Sequence, residues 1–156
     1  MPVFKNGDIL DAKEDIIAHQ CNCTTTGSLG LATDIFKRWP SANTYKTRKN
    51  PSQPGTVDAI QLSPDSTPPY YIVNMYAQFR PGKAVNEPRV KWFGLCLDQL
   101  QEALDGGPGA DTAPITVAVP FRIGCGLAGG DWDVYLGMLV EFEQMYPGIQ
   151  IVIYTK

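Results

Sequence analysis

The stretch IIAHQCNCTTTGSLGLATDIFKRW, residues 16–39, decides the fold class. It opens with Ile16–Cys21, a short apolar run that predicts a buried strand. Apolar residues then recur every four positions from Leu31 to Trp39, which predicts a helix that Pro40 ends. A polar loop with two glycines separates the two elements. A strand, a loop and a helix in this order are typical of α/β folds.

The same order recurs near the end of the chain. The β-branched run Ile115–Val119 predicts a strand, and a glycine-rich loop over Pro120–Gly130 follows it. Asp131 is placed to cap a helix that runs to Met145. A last strand is predicted over Ile149–Tyr154. The chain therefore contains two strand-loop-helix units.

Strands and helices also alternate along the rest of the sequence. The remaining predictions are strands at Val3-Phe4, Thr56–Leu62 and Tyr70–Ala77, a helix at Val90–Leu104, and loops at Ala42–Pro54 and Gly106–Gly109. A chain of 156 residues is the size of one domain. We therefore expect residues 1–156 to form one domain, a three-layer α/β/α sandwich with a mixed central sheet.

Composition excludes several classes of protein. The net charge of −3 argues against a large basic surface for duplex nucleic acid. It leaves a small anionic ligand open, because backbone N–H groups bind phosphate without basic side chains. No apolar stretch is long enough for a membrane helix, and the first residues lack the apolar run of a signal peptide. We expect a cytoplasmic, monomeric protein with its four cysteines reduced.

Two loops are candidates for a ligand site, because ligands of open α/β sheets bind outside the carboxyl ends of the strands. Loop one is Thr24–Gly30 and loop two is Gly124–Gly130. Glycines allow close approach of the backbone, and the helix starts that follow add free N–H groups. The two loops together suit the two phosphates of a diphosphate. The alternative is that these glycines only form tight turns.

The motifs in these positions resemble those of the macrodomain family along nearly the whole chain. The matching stretches are Gly7-Asp8-Ile9, Ala18–Cys23, Gly30-Leu31-Ala32, Gly124–Gly130 and the closing Tyr154. The resemblance implies a macrodomain that binds ADP-ribose, in which Asp8 accepts the adenine amino group, Asn22 contacts ribose and Tyr154 stacks on adenine. The ligand-binding residues that it implies are Asp8, Ile9, Asn22, Gly30, Leu31, Ala32, Gly124, Cys125, Gly126, Leu127, Ala128, Gly129 and Tyr154.

Two branches of that family are most similar to the sequence. The ADP-ribose 1″-phosphate phosphatases share the His-x-Cys-Asn-Cys pattern of His19–Cys23, and the terminal ADP-ribose protein glycohydrolases share Arg-Ile-Gly-Cys-Gly-Leu. The glycohydrolases also use a lysine in the middle strand and an aspartate after the glycine loop. Here Met75 or Tyr76 stands at the first place and Ala128 at the second, which argues against the lysine-linked mechanism.

The candidate catalytic residues are His19, Asn22 and Asp131. His19 is the only histidine, and an imidazole can transfer a proton at neutral pH. Its alternative role is a buried histidine bonded within the strand. Asp131 and Asp34 are both candidates for a second carboxylate, although a helix cap is the simpler role of Asp131. Arg80 is a candidate for the terminal phosphate, or an exposed loop arginine.

These residues predict a hydrolase that acts at the 1″ position, first of all on ADP-ribose 1″-phosphate. The alternatives are a hydrolase that removes ADP-ribose from a modified macromolecule, and a reader that binds ADP-ribose without turnover. No cofactor is expected. His19, Cys21 and Cys23 alternate along a strand and share one face, but no Cys-x-x-Cys pair accompanies them, so we expect no metal.

Overall fold

The computed structural model describes residues 1–62, 67–83, 86–104, 114–125 and 128–156. Six strands and four α-helices make up this part of the chain. The strands are β1 (Val3–Lys5), β2 (Ile16–Asn22), β3 (Val57–Gln61), β4 (Tyr71–Gln78), β5 (Ile115–Pro120) and β6 (Ile149–Tyr154). The helices are α1 (Leu31–Arg38), α2 (Thr44–Thr47), α3 (Arg89–Leu104) and α4 (Trp132–Met145).

The strands form one mixed sheet in the order β1-β6-β5-β2-β4-β3. Every neighbouring pair is parallel except β3 with β4, which is antiparallel. Strand β2 lies inside the sheet, between β5 and β4, and His19 on β2 is the register partner of Asn74 on β4. The carboxyl ends of β2, β4 and β5 therefore reach the same edge of the sheet.

Alternate residues of the inner strands point to opposite faces of the sheet, and each face has its own core. Ile16 and Ala18 pack with α3 and α4, and Ile17 packs with α1 on the other face. Because both faces are covered, the inner strands are apolar throughout rather than alternating with polar residues. The result is the predicted three-layer α/β/α sandwich.

The prediction of a surface loop over Ala42–Pro54 is wrong in its first part. This segment contains helix α2, and its residue Tyr45 is buried with 2% of its surface exposed. The Tyr45 hydroxyl accepts a hydrogen bond of 2.6 Å from the Asn22 N–H. The polar sequence around Tyr45 conceals this, since one buried aromatic residue anchors an otherwise exposed turn.

The other predicted elements are present, with ends that coincide or differ by one residue. Asp131 caps α4 as predicted, since its Oδ1 accepts from the Asp133 N–H at 3.0 Å. The predicted loop Gly106–Gly109, and residues Gly126 and Leu127 of loop two, lie outside the described residues. Among the residues that are described, no helix is long and apolar enough to cross a membrane.

Candidate functional site

A cleft of about 520 Å³ opens at the carboxyl edge of the sheet, where β2, β4 and β5 end. Loop one forms one wall, loop two forms the other, and the segment after β4 closes a third side. Its lining residues are His19, Gln20, Asn22, Thr25, Gly27, Leu29, Gly30, Leu31, Ala32, Tyr45, Gln78, Pro81, Gly82, Pro120, Phe121, Arg122, Ile123, Gly124 and Ala128. The two loops singled out in the sequence therefore meet in one cleft.

Loop one turns around the side chain of Asn22. The Asn22 Oδ1 accepts from the Thr24 N–H at 3.1 Å and from the N–H and hydroxyl of Thr25, each at 3.0 Å. This leaves its Nδ2 group as the part of the amide able to contact a ligand. Gly30 then starts α1 at a φ of 61° without a side-chain cap. The Thr33 N–H donates to the Gly30 carbonyl at 3.1 Å, which leaves the N–H groups of Leu31 and Ala32 for a ligand or solvent.

Loop two requires glycine at Gly124. Its φ is +75°, and a Cβ at this position would lie 2.6 Å from Cε2 of Tyr135 and 2.8 Å from Oε1 of Gln20. The Gly124 carbonyl also accepts from the Gly130 N–H at 3.0 Å, and a Cβ on Gly130 would lie 2.6 Å from that oxygen. The loop is thus closed on itself by backbone contacts that no larger residue permits.

A buried arginine at the start of α3 joins two walls of the cleft. Arg89, 5% exposed, donates to the carbonyls of Gly82 at 2.6 Å and Ala128 at 3.2 Å, both of which are lining residues. It also donates to the Arg80 carbonyl at 2.9 Å and to Glu87 Oε1 at 2.8 Å. Its fork of N–H groups holds the segment after β4 against loop two.

The Glu87 carboxylate, which pairs with Arg89, accepts hydrogen bonds on both of its oxygens. Burial raises the pKa of Glu87, but hydrogen bonds from Arg89 and from the N–H groups of Phe79 and Arg80 outweigh it and hold that pKa below its ordinary value. Glu87 is therefore ionised at neutral pH and neutralises Arg89. This network was not predictable from the sequence, because its link across the cleft is the Ala128 carbonyl, 39 residues from Arg89 along the chain.

Arg122 is the charged side chain of the described part of the lining. It has a positive φ of 61°, which is rare for a residue with a side chain, and it is exposed at the mouth of the cleft. Arg80, the candidate from the sequence, lies instead in a neighbouring groove with Trp92. The arginine that lines the cleft is thus Arg122, just before loop two, rather than Arg80 after β4.

His19 lines the cleft from β2 but is almost fully covered. Only 2% of its surface is exposed, its ring meets Phe36 edge-on at 5.5 Å, and its Nε2 lies 2.7 Å from Oδ1 of Asn74. Burial lowers the pKa of His19 to about 4, although the hydrogen bond to Asn74 opposes the shift. His19 is therefore neutral at pH 7.

Two amide side chains that the sequence did not suggest also line the cleft. Gln20 donates from Nε2 to Oε1 of Gln78 at 2.7 Å, and Gln78 donates to the Arg80 carbonyl at 3.0 Å. Gln20 Oε1 is buried with no hydrogen-bond partner among the described residues. The signal for this pair is the register of β2 and β4, which sequence alone does not reveal.

Five of the predicted ligand-binding residues that the structure describes do not line the cleft. Asp8 accepts from the Leu10 N–H at 2.9 Å and caps a 3₁₀ turn, and Ile9 is buried in the core on the α1 face. Cys125 is buried with its thiol donating to the Ile123 carbonyl at 3.3 Å, and Gly129 has a φ of +75° beside the Lys83 side chain.

Tyr154, the fifth, is engaged below the surface. It is 8% exposed, and its hydroxyl donates to Oε1 of Glu14 at 2.6 Å. Burial and the Glu14 carboxylate raise the pKa of Tyr154 well above its ordinary value, so its hydroxyl keeps the proton. Asp131 also lies outside the lining, where it caps α4.

The structure brings Cys21 to His19, at 3.6 Å from Nε2 and 3.8 Å from Nδ1. Burial raises the pKa of the Cys21 thiol beyond its ordinary range, so the sulfur stays protonated at neutral pH. Within the described ranges, no three His, Cys, Asp or Glu side chains are grouped as metal ligands.

No profile of a known protein family matches the chain. Solved structures do. The macrodomain of Mycobacterium tuberculosis DarG superposes with a TM-score of 0.76 at 22% identity, over 100% of this chain and 98% of that one. Thermosipho africanus DarTG, solved in complex with ADP-ribose, superposes with a TM-score of 0.69 at 16% identity, over 97% of this chain and 40% of that one. The chain thus has the fold of a macrodomain.

A protein of similar sequence is also known. An uncharacterized 17.5 kDa protein from the tk-vs intergenic region of enterobacteria phage T4 is 33% identical over 151 residues, which cover 90% of this chain and 88% of that protein. The chain belongs to the same family as this phage protein.

Proposed function

We propose that the chain binds ADP-ribose in the cleft between loop one and loop two. The observation that carries this proposal is the meeting of loop one and loop two in one cleft, where α1 begins at Gly30 without a side-chain cap. Arg122 adds a positive charge at the mouth. The ADP-ribose complex of Thermosipho africanus DarTG, which has the same fold, supports the choice of ligand.

The test is calorimetric titration with ADP-ribose, beside adenosine monophosphate and ribose 5-phosphate as half-ligands. ADP-ribose is expected to bind most tightly, because it is the only one of the three ligands long enough to contact loop one and loop two at the same time. Arg122→Gln should weaken binding about 10-fold, the loss of one charge-assisted hydrogen bond. Arg38→Gln, which removes an exposed arginine of α1 outside the lining, is the matched control. Absence of ADP-ribose binding by the unaltered protein would overturn the proposal.

We further propose hydrolysis at the 1″ position, with ADP-ribose 1″-phosphate as the substrate. The presence of the His19 ring in the cleft wall supports this reaction. Water adds to phosphorus, the bond from phosphorus to the 1″ oxygen breaks, and ADP-ribose and phosphate leave. His19 accepts the proton of the attacking water and returns it to the 1″ oxygen. A neutral imidazole with a pKa of about 4 is a weak base, so turnover should be slow.

Three assays separate the possible reactions. Phosphate release from ADP-ribose 1″-phosphate that is lost in His19→Ala, with ADP-ribose binding retained, supports the phosphatase. Release of ADP-ribose from a modified macromolecule without phosphate release identifies the other hydrolase. Binding without turnover of either substrate identifies a reader, to which the absence of a family lysine at Met75 or Tyr76 and of an aspartate at Ala128 already points.

A further inference from the structure

The hydrogen bond between His19 and Asn74 joins two buried side chains of neighbouring strands. They are register partners on β2 and β4, and Nε2 of His19 lies 2.7 Å from Oδ1 of Asn74. Asn74 has none of its surface exposed and does not line the cleft. Any effect of Asn74 on a ligand is therefore indirect, through His19 or through Ala42 and Thr44, which lie beside the lining residue Tyr45.

The other half of the Asn74 amide fixes which atom faces the ring. Nδ2 donates to the Ala42 carbonyl at 2.9 Å and to the Thr44 hydroxyl at 3.2 Å. A carbonyl oxygen only accepts, so the amide nitrogen must face Ala42 and the amide oxygen must face His19. That oxygen carries no hydrogen. The proton of the bond therefore belongs to Nε2 of His19.

A neutral imidazole has one N–H, so a proton on Nε2 leaves the lone pair on Nδ1. The Cys21 sulfur lies 3.8 Å from Nδ1 and 3.6 Å from Nε2, so this contact does not distinguish the two ring nitrogens. The tautomer is therefore fixed by the hydrogen bond to Asn74 alone.

We propose that Asn74 is a positioning residue, which holds His19 with its proton on Nε2 and keeps Nδ1 as the basic nitrogen. The role of that nitrogen in hydrolysis at the 1″ position rests on the proposed function; the tautomer does not. A third partner orients a catalytic histidine in many hydrolases by holding its far nitrogen. Here the partner is an amide, which fixes the ring without adding charge.

Asn74 is itself held by a chain of buried polar groups. The Thr44 hydroxyl lies 2.6 Å from the Tyr76 hydroxyl, which donates to Oδ2 of Asp58 at 2.7 Å. Tyr76→Phe breaks this chain two steps away but leaves the bond between Asn74 and His19. It is therefore the matched control for the loss of a buried hydrogen bond.

Since the chain has a single histidine, long-range ¹H–¹⁵N correlation spectra of ¹⁵N-labelled protein report its tautomer without assignment. The unaltered protein should show a protonated Nε2 and an unprotonated Nδ1. Tyr76→Phe should show the same pattern, and Asn74→Leu should lose it. A proton on Nδ1 in the unaltered protein, or an unchanged tautomer in Asn74→Leu, would overturn the proposal. Asn74→Ser, too short to reach the ring, replaces Asn74→Leu if that variant does not fold.

The kinetic arm measures phosphate release from ADP-ribose 1″-phosphate. In Asn74→Leu, kcat should fall about 100-fold, the usual contribution of an acid or base, with ADP-ribose affinity changed less than about 3-fold. Tyr76→Phe should keep its kcat. Equal losses of kcat in both variants would show a structural effect and overturn the positioning role. If the unaltered protein releases no phosphate, the phosphatase proposal fails, and the spectra still decide the tautomer.

Discussion

Replacing Arg89 tests whether this buried side chain holds the two cleft walls at Gly82 and Ala128 together. Arg89→Met removes four hydrogen bonds, to Arg80, Gly82, Ala128 and Glu87, and leaves the Glu87 carboxylate without its cation. At about 1 kcal/mol for each bond the sum is about 4 kcal/mol, within the ~3–5 kcal/mol range for breaking a buried ion pair. Domains of this size unfold at roughly 5–15 kcal/mol, so the variant should still fold.

Arg89→Lys separates the charge from the geometry. Lysine keeps the ion pair with Glu87, but its single ammonium cannot reach three carbonyls in the planar fork. We expect a stability loss of about 1–2 kcal/mol, roughly half of the Arg89→Met effect. ADP-ribose affinity should fall about 10-fold, because Gly82 and Ala128 are released from each other.

Urea unfolding gives the free energy of unfolding, and calorimetry gives the ADP-ribose affinity of the same samples. Leu100→Ala, in the buried part of the same helix, is the control, since a cavity there costs about 2–5 kcal/mol without touching the cleft. Arg89→Lys should lose affinity while Leu100→Ala keeps it. If Arg89→Lys binds ADP-ribose as tightly as the unaltered protein, the argument that Arg89 organises the cleft is refuted.

Three further substitutions test the other contacts. Gly124→Ala should lower the free energy of unfolding by at least about 2 kcal/mol and weaken ADP-ribose binding, because its φ is +75° and Tyr135 occupies the space that a Cβ would need. The control is Gly137→Ala on α4, where nothing lies within 4 Å and the free energy of unfolding should rise by about 0.5–1 kcal/mol. A loss in Gly137→Ala as large as that in Gly124→Ala would contradict the steric reasoning. The pKa of His19 is about 6.5 in the unfolded chain and about 4 in the folded one, so its contribution to stability is complete above pH 6.5 and disappears as the pH falls to 4. Between pH 7 and pH 4, the free energy of unfolding in urea should therefore fall by about 3 kcal/mol more in the unaltered protein than in His19→Gln. Parallel plots of unfolding free energy against pH for the two proteins would exclude a buried neutral histidine. Tyr154→Phe should lower the free energy of unfolding by about 1–2 kcal/mol, because the buried Glu14 carboxylate loses a hydrogen-bond donor. ADP-ribose affinity should change less than about 3-fold, and an affinity loss of about 10-fold would show that the hydroxyl contacts the ligand.

The architecture was predictable because the periodicity of apolar residues alone indicates which segments are strands and which are helices. The run Ile16–Cys21 and the apolar residues from Leu31 to Trp39 have the periods of a strand and a helix, and both elements are present. Helix α2 was missed because four residues have no measurable period. Its position depends on Tyr45, whose hydroxyl bonds to a backbone N–H 23 residues away in sequence.

The site was predictable only to the level of its loops. Glycines at the ends of strands indicated where a ligand could approach, and both loops do line the cleft. Arg89 and Asn74 were missed because their partners come from separate parts of the chain. An arginine at the start of a helix, or an asparagine in an apolar strand, does not reveal which carbonyls or rings it will meet.

Binding and chemistry are distributed unequally in this cleft. The groups suited to an anion are many: two loops, the start of a helix and Arg122. The groups suited to hydrolysis are few, because no carboxylate lines the described part of the cleft. Arg89 even uses the Ala128 carbonyl as part of the wall. Loss of any one loop contact should therefore weaken binding by degrees, whereas the proposed hydrolysis depends on His19, whose tautomer we propose that Asn74 fixes.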